Sequence, residues 1–227
     1  MAPRIALVHA TALAIEPVAD AFARLWPEAR LMNVLDDSLS SDRTAAGALT
    51  PPMIARFGTL ARYCVEHGAD GILFTCSAFG PAIEAAGCVV PVPVLKPNAA
   101  MLDEALALAA RGNGRLALLA TFEASLESIA GELRAMAEAR NQSIGLHSRH
   151  VTDAMTALGH GDASKHDALI AAAFETWHEA RDCDALLLAQ FSMARARDAV
   201  QARSPMSVLV STDSAVMAMR QAMIATG

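Results

Sequence analysis

Two stretches decide the fold: Ala69-Asp-Gly-Ile-Leu-Phe-Thr-Cys76 and Cys183-Asp-Ala-Leu-Leu-Leu-Ala-Gln190. Each starts with a small residue and an aspartate, runs through uncharged apolar residues and ends on a polar side chain. A short apolar run of this kind reads as a strand buried on both faces, the pattern of a parallel sheet between helices. The two stretches lie at an offset of 114. Working outward, Arg4-Ile-Ala-Leu-Val8 matches Arg115-Leu-Ala-Leu-Leu119 at an offset of 111, and Pro93-Val-Leu-Lys96 matches Ser207-Val-Leu-Val210 at 114. Apolar strands resemble one another by chance, but three matches in one order at a nearly constant offset predict two similar halves joined near Pro97.

The rest of the chain fits this frame. Strands are expected at Arg4–Val8, Arg30–Leu35, Gly71–Thr75, Val92–Leu95, Arg115–Ala120, Ser143–His147, Ala185–Ala189 and Ser207–Val210. Helical periodicity falls between them, at Ile15–Leu25, Pro52–His67, Ala99–Ala110, Ser125–Arg140, Ala163–Arg181, Ala194–Ala202 and Asp213–Ala225. Pro17 lies in the first turn of its helix, where a missing N–H does no harm, and Gly68 follows the second as a C-terminal glycine. Alternating strands and helices predict an α/β fold of two pseudo-symmetric halves, each with a parallel sheet flanked by helices. One half takes residues 1–97 and 206–227, with the final helix returning to it, and the other takes residues 98–205. Arg4 and the apolar run Ile5–Ala14 have the look of a short signal peptide. Their counterpart at residues 115–119 lies mid-chain, so the reading here is a first strand.

Composition narrows the function. Among the 227 residues, 54% are hydrophobic and 4% aromatic, ample for burying helices on sheets. A formal charge of −6 argues against a phosphate-binding surface and so against nucleic acid. No run reaches the length of a membrane span. The four cysteines lack CxxC spacing, which points away from zinc and thioredoxin chemistry and toward reduced thiols of a cytoplasmic protein. Nothing matches a dinucleotide or phosphate loop, and Gly112-Asn-Gly114 reads as a turn.

Ligands of open parallel sheets bind beyond the carboxyl ends of the strands. His9 and Thr11, Asp36 to Ser38, Cys76 and Ser77, Lys96 and Asn98, Thr121, Gln190 and Ser192, and Ser211 and Thr212 are expected there. Two related halves facing one another would set Cys76 and Gln190 on opposite sides of an active-site cleft.

Phe74-Thr-Cys-Ser77 at a strand end, followed by a helix, resembles the first cysteine motif of the aspartate/glutamate/hydantoin racemase superfamily. Chain length, the two halves and Leu118-Leu-Ala-Thr121 after the midpoint fit the same family. The resemblance implies a cofactor-free isomerase working at the α-carbon of a small amino or dicarboxylic acid. In such enzymes one cysteine removes the proton as thiolate and a second returns one on the opposite face. It also implies that Ser77, Thr121 and Ser192 help to bind a substrate carboxylate.

This sequence departs from the two-cysteine pattern, because Gln190 stands where the second cysteine is expected and an amide exchanges no protons near neutral pH. Cys183 does not substitute, since seven residues of extended strand separate it by roughly 23 Å. The arylmalonate decarboxylases of this superfamily carry one cysteine in the second position, and maleate isomerases use the first as a nucleophile. A single thiol at Cys76 therefore leaves one-sided protonation, decarboxylation, isomerisation and a catalytically inactive acid-binding protein as open alternatives.

The remaining candidates have plainer readings beside the functional ones. Cys64, Cys88 and Cys183 read as packing. His9 is a general acid or a carboxylate ligand, or equally a satisfied structural histidine. Lys96 draws an anion, lowers the Cys76 pKa or is a surface cation, and the Thr11 hydroxyl adds a hydrogen bond to substrate. His147, His150, His160 and His166 lack partners with ligand spacing and read as solvated surface, with no metal. A homodimer is the expected assembly.

Overall fold

In a computed structural model, which describes residues 2–226, the apolar runs are the centres of two four-stranded, all-parallel sheets. The chain order is β1 (Arg4–His9), α1 (Ile15–Leu25), β2 (Arg30–Leu35), α2 (Ser38–Ala46), α3 (Pro51–Glu66), β3 (Gly71–Phe74), α4 (Gly80–Gly87) and β4 (Val94–Leu95). It continues with α5 (Ala99–Arg111), β5 (Arg115–Ala120), α6 (Glu123–Ala139), β6 (Gly145–His150), α7 (Ala154–Gly159), α8 (Ala163–Glu175), β7 (Ala185–Leu188), α9 (Arg197–Gln201), β8 (Ser207–Val210) and α10 (Ser211–Thr226). The sheets have the orders β2-β1-β3-β4 and β6-β5-β7-β8, so the second repeats the first.

The repeat extends to single residues. Ile72 pairs with Val94 and Leu73 with Leu95 in the first sheet. Leu186 pairs with Val208 and Leu187 with Leu209 in the second, each shifted by the offset read from the sequence. Even the edge closures match. Arg4 N–H donates to Asp70 Oδ2 at 2.8 Å, and Arg115 N–H donates to Asp184 Oδ2 at 2.9 Å.

Contacts divide the chain into two compact units, residues 1–99 with 212–227 and residues 100–211. β8 therefore belongs to the second unit's sheet, and the return to the first unit comes at Thr212. In the second unit both sheet faces are covered. Ala117, Leu119, Leu186 and Leu188 pack with Ile170, Phe174 and Trp177 on one side. Leu116, Leu118, Ala185 and Leu187 pack with Leu102, Leu106, Ile129 and Leu133 on the other. That is the physical reason for uninterrupted apolar strands rather than alternating ones. In the first unit, Phe57 of α3 lies against Phe74 and Phe79, with ring centroids 5.1 and 5.0 Å apart. Such pairs each contribute about 0.5–1.5 kcal/mol beyond area burial.

Several expected boundaries move. β6 starts two residues later than Ser143, because Gly145 N–H must reach Gly114 O for the register with β5, and it runs on to His150. The helix expected over Ala163–Arg181 stops at Glu175, where Thr176 turns its hydroxyl back to Ala172 O. The segment expected at Ala194–Ala202 is a 3₁₀ turn over Phe191–Ala196 followed by α9. α2, α4 and α7 are additional short helices. His166, expected on the surface, is wholly buried: it lies on the inner face of α8 with Ile170 and Phe174. Among the described residues no helix is long and apolar enough to cross a membrane.

Candidate active site

The first unit offers Cys76. β3 ends at Phe74, Thr75 N–H still donates to Val8 O at 3.0 Å, and Cys76 is the extended residue before a 3₁₀ turn over Ser77–Phe79. Phe74 and Phe79 anchor this corner from either side through their contacts with Phe57. Cys76 as a residue is half-buried, with Ser77 buried beside it. Burial pushes the Cys76 thiol up to about 11, against a smaller downward pull from the Ala78 backbone N–H. At neutral pH the group is thus S–H, not the thiolate that a first-acting base needs. Cys64 and Cys183 are buried, whereas Cys88, expected to be packed, is exposed just past α4 where no layer covers it. All four thiols are free.

His9 lies at the end of β1, level with Thr75, and is completely buried. Its Nδ1 is 2.9 Å from Thr75 Oγ1 and its Nε2 is 3.0 Å from Asn33 Oδ1. Desolvation lowers the His9 pKa, opposed by the Asn33 contact, so the ring is neutral. A neutral ring has one N–H: Nε2–H donates to Asn33, and Nδ1 accepts from the Thr75 hydroxyl. The same hydroxyl lies 3.3 Å from Val8 O. Asn33 and Thr75 were missed in the sequence. The signal for Asn33 was a polar side chain among apolar neighbours in the strand Arg30–Leu35, although the residue itself is exposed.

Other strand ends of this unit carry polar groups with partners. The half-buried Thr11 accepts Leu13 N–H at 3.4 Å and caps a 3₁₀ turn. Lys96 Nζ lies 2.7 Å from Glu84 Oε1 of α4. Arg56 of α3, also missed, ties down the end of β2, reaching Asp36 Oδ1 at 2.5 Å, Ser38 Oγ at 2.7 Å and Asp42 Oδ2 at 2.9 Å. Asn98 is buried and its Oδ1 has no hydrogen-bond partner.

The second unit places Gln190 after β7 as the counterpart of Cys76, again extended and half-buried before a 3₁₀ turn. Its Oε1 accepts both Thr121 N–H at 2.6 Å and Thr121 Oγ1–H at 2.9 Å. The amide oxygen is therefore saturated, the side chain is fixed, and its NH₂ remains as a donor. Ser192 is buried in the following turn, and the buried Ser211 Oγ has no partner. Thr121, Gln190 and Ser192 thus gather at one sheet edge of this unit. Cys76, Ser77, His9, Thr11 and Lys96 lie at the carboxyl edge of the other. No group of three or more His, Cys, Asp or Glu among the described residues could hold a metal.

Comparisons with known proteins follow the same lines. Solved structures share the fold at low identity. A glutamate racemase from Bacillus anthracis is 14% identical, with 99% of this chain and 83% of that one covered and a TM-score of 0.72. An allantoin racemase from Klebsiella pneumoniae is 18% identical, covering 99% and 89%, with a TM-score of 0.69. A glycine-to-cysteine mutant of arylmalonate decarboxylase is 22% identical, covering 99% and 95%, with a TM-score of 0.64. No curated protein matches the sequence. The family model for Asp/Glu/hydantoin racemases matches residues 8–221, nearly the whole chain. The chain belongs to the Asp/Glu/hydantoin racemase family.

Proposed function

We propose that this protein is a cofactor-independent enzyme that transfers a proton at the α-carbon of a small carboxylic acid, with Cys76 as its single acid–base thiol. The observation that carries the reading is the contrast at equivalent positions, a thiol at Cys76 and a non-ionisable amide held by Thr121 at Gln190, and burial, which favours the protonated thiol, supports it. A thiol that stays protonated supports the role of donor. Its proton goes to the carbon of a planar carbanion or enediolate, the electron pair stays on sulfur, and water returns the proton. Each unit offers its own hydrogen-bond donors for a carboxylate, the Ser77 hydroxyl in the first and the Thr121 and Ser192 hydroxyls and the Gln190 NH₂ in the second.

That role favours formation of the carbanion by loss of carbon dioxide over two-base racemisation and over a proton shift on one face, which would first need the thiolate as base. It also disfavours nucleophilic isomerisation, which needs the thiolate. The neutral, fully engaged His9 is read as support for the Cys76 corner rather than as the second acid. We place the enzyme in the cytoplasm as a homodimer, which light scattering checks.

Incubation in D₂O with α-substituted malonates, aspartate and glutamate tests the reading. One-faced deuterium incorporation or decarboxylation that disappears in Cys76→Ala supports it. Rapid racemisation that survives Cys76→Ala overturns it, and turnover of none of these acids with an inert Cys76 points to a binding protein instead.

A further inference from the structure

The amino-terminal edge of the first sheet, remote from Cys76, has a feature that catalysis does not use. An open cavity of about 660 Å³ lies there, bordered by Arg4, Trp26, Arg30, Asp70, Met223 and Ile224. Arg4 and Arg30 are register partners at the first positions of β1 and β2. Neighbouring strands are about 4.8 Å apart, so two guanidinium groups leave the sheet side by side, an arrangement that like charges disfavour unless something lies between them. The Arg4 group is steered by one bond, Nη1–H to His67 O at 2.7 Å. Asp70 is engaged by the main-chain N–H of Arg4. Among the described residues, neither guanidinium forms a salt bridge with a carboxylate.

The rest of the lining is apolar: Trp26, the half-buried Met223 and Ile224, which is 73% exposed and, among the described residues, the most exposed large hydrophobic residue. The second half lacks this arrangement, since Arg115 pairs with Gly145 where Arg4 pairs with Arg30. The arginine pair is therefore not a requirement of the fold.

We propose that this cavity binds a small organic anion, its oxyanion group between Arg4 and Arg30 and its apolar body against Trp26, Met223 and Ile224. Guanidinium forks suit carboxylates and phosphates alike. The site is separate from the reaction centre: Asp70 and Cys76 lie at opposite ends of the β3 segment, roughly 20 Å apart along an extended chain.

The test uses the indole N–H signals of the full-length protein, which has two tryptophans, Trp26 and Trp177. Phenylacetate and phenyl phosphate are the probes, with acetate, inorganic phosphate and benzyl alcohol as controls. At least one probe should shift the Trp26 signal saturably and leave Trp177 in place, in wild type and in Cys76→Ala alike. The tighter probe identifies carboxylate or phosphate as the natural group. Arg30 is exposed and braces nothing, so Arg30→Gln should fold normally and bind about tenfold more weakly, the loss of one charge-assisted contact. The proposal is overturned if neither probe moves Trp26, if benzyl alcohol binds as tightly, or if Arg30→Gln binds as well as wild type. A Trp26 signal that moves with protein concentration alone would mark a contact between copies of the chain and also overturn it.

Discussion

The two halves repeat one another closely at one edge of the sheet and diverge at the other. At the amino edge, Asp70 and Asp184 perform the same task, each accepting the N–H of the first residue of the neighbouring strand. At the carboxyl edge, the hydrogen-bonded set of buried His9 and Thr75 with the exposed Asn33 in the first half has Ala120, Ser148 and Ala189 at the equivalent places of the second. Beyond them Cys76 is matched by Gln190. The scaffold is thus duplicated where it closes strands, and individual where chemistry is expected. Reactivity in this fold is a property of the few residues after each strand, not of the sheet that presents them.

The largest expected effect separates the two carboxyl edges. Removing an acid–base group costs on the order of 10²–10⁴ in rate, so Cys76→Ala should lose that much turnover of whichever acid proves to be the substrate. Gln190→Ala removes no proton donor to carbon. It should act mainly on KM, by freeing the Thr121 N–H and hydroxyl and removing the amide donor. Equal losses of kcat in the two variants would break the asymmetry. Gln190→Cys sharpens it: if the second corner still supports a thiol, racemisation should appear where one-sided exchange was seen.

Next comes the triad around the buried His9. His9→Ala should destabilise the protein by about 2–4 kcal/mol, through a cavity and the unpaired hydroxyl left on the buried Thr75. Ala120 lies at the same place in the second half without such a network, so Ala120→Gly should cost far less, about 1 kcal/mol. Chemical denaturation of the two variants measures the contrast, and comparable losses would show that the triad contributes no more than its counterpart.

How far the sequence discloses this arrangement depends on what fixes each element. Strands buried on both faces, such as Leu116–Leu119 and Ala185–Leu188, are legible because no polar residue can be tolerated there. β6 was misplaced because only one of its long sides pairs, with β5, so residues such as Ser148, Arg149 and His150 leave no apolar pattern. Short helices escaped for another reason: α2 is mostly polar, and α4 begins Gly80-Pro81, which reads as a turn. At the site, the position of Cys76 followed from its strand. The engagement of Gln190 with Thr121 and of His9 with Asn33 did not, because those partners are 69 and 24 residues away in the chain. Separation of that kind carries no local signal.

The amino edges also differ in degree. Asp184 accepts Asn113 N–H at 2.8 Å as well as Arg115 N–H, while among the described residues Asp70 accepts Arg4 N–H alone. Net contributions of about 1 kcal/mol per hydrogen bond predict that Asp184→Ala costs about twice what Asp70→Ala does, near 2 against 1 kcal/mol. Gly112 explains how the tighter closure is possible. A Cβ there would lie 2.0 Å from Asp184 Oδ1 and 2.4 Å from its Cγ, so Gly112→Ala expels the carboxylate from the turn. Gly112→Ala should therefore destabilise by about as much as Asp184→Ala, and the double variant should cost little more than either alone. Additive losses would mean that the glycine and the carboxylate act independently.

The smallest effect is a pH dependence confined to the first half. The His9 pKa is lowered from 6.5 by burial. Between that ordinary value and the lower folded one, the unfolded chain binds a proton that the native ring does not, so stability rises with pH across this window. The contribution of a neutral His9 is fully present above about pH 6.5 and is lost as the solution is acidified through the folded pKa. His9→Gln keeps a polar group near Asn33 but does not titrate. All other ionisable groups are common to both proteins, so the difference between their unfolding free energies isolates this one. Wild type should be the more stable near pH 8, and its margin should shrink as pH falls below 6.5. A margin that stays constant from pH 8 to 5 would mean that His9 titrates alike in both states, and a margin that grows would mean that the native ring is charged. The second result would also reopen the choice of proton donor, because a cationic His9 beside Thr75 would put a second acid next to the Cys76 corner.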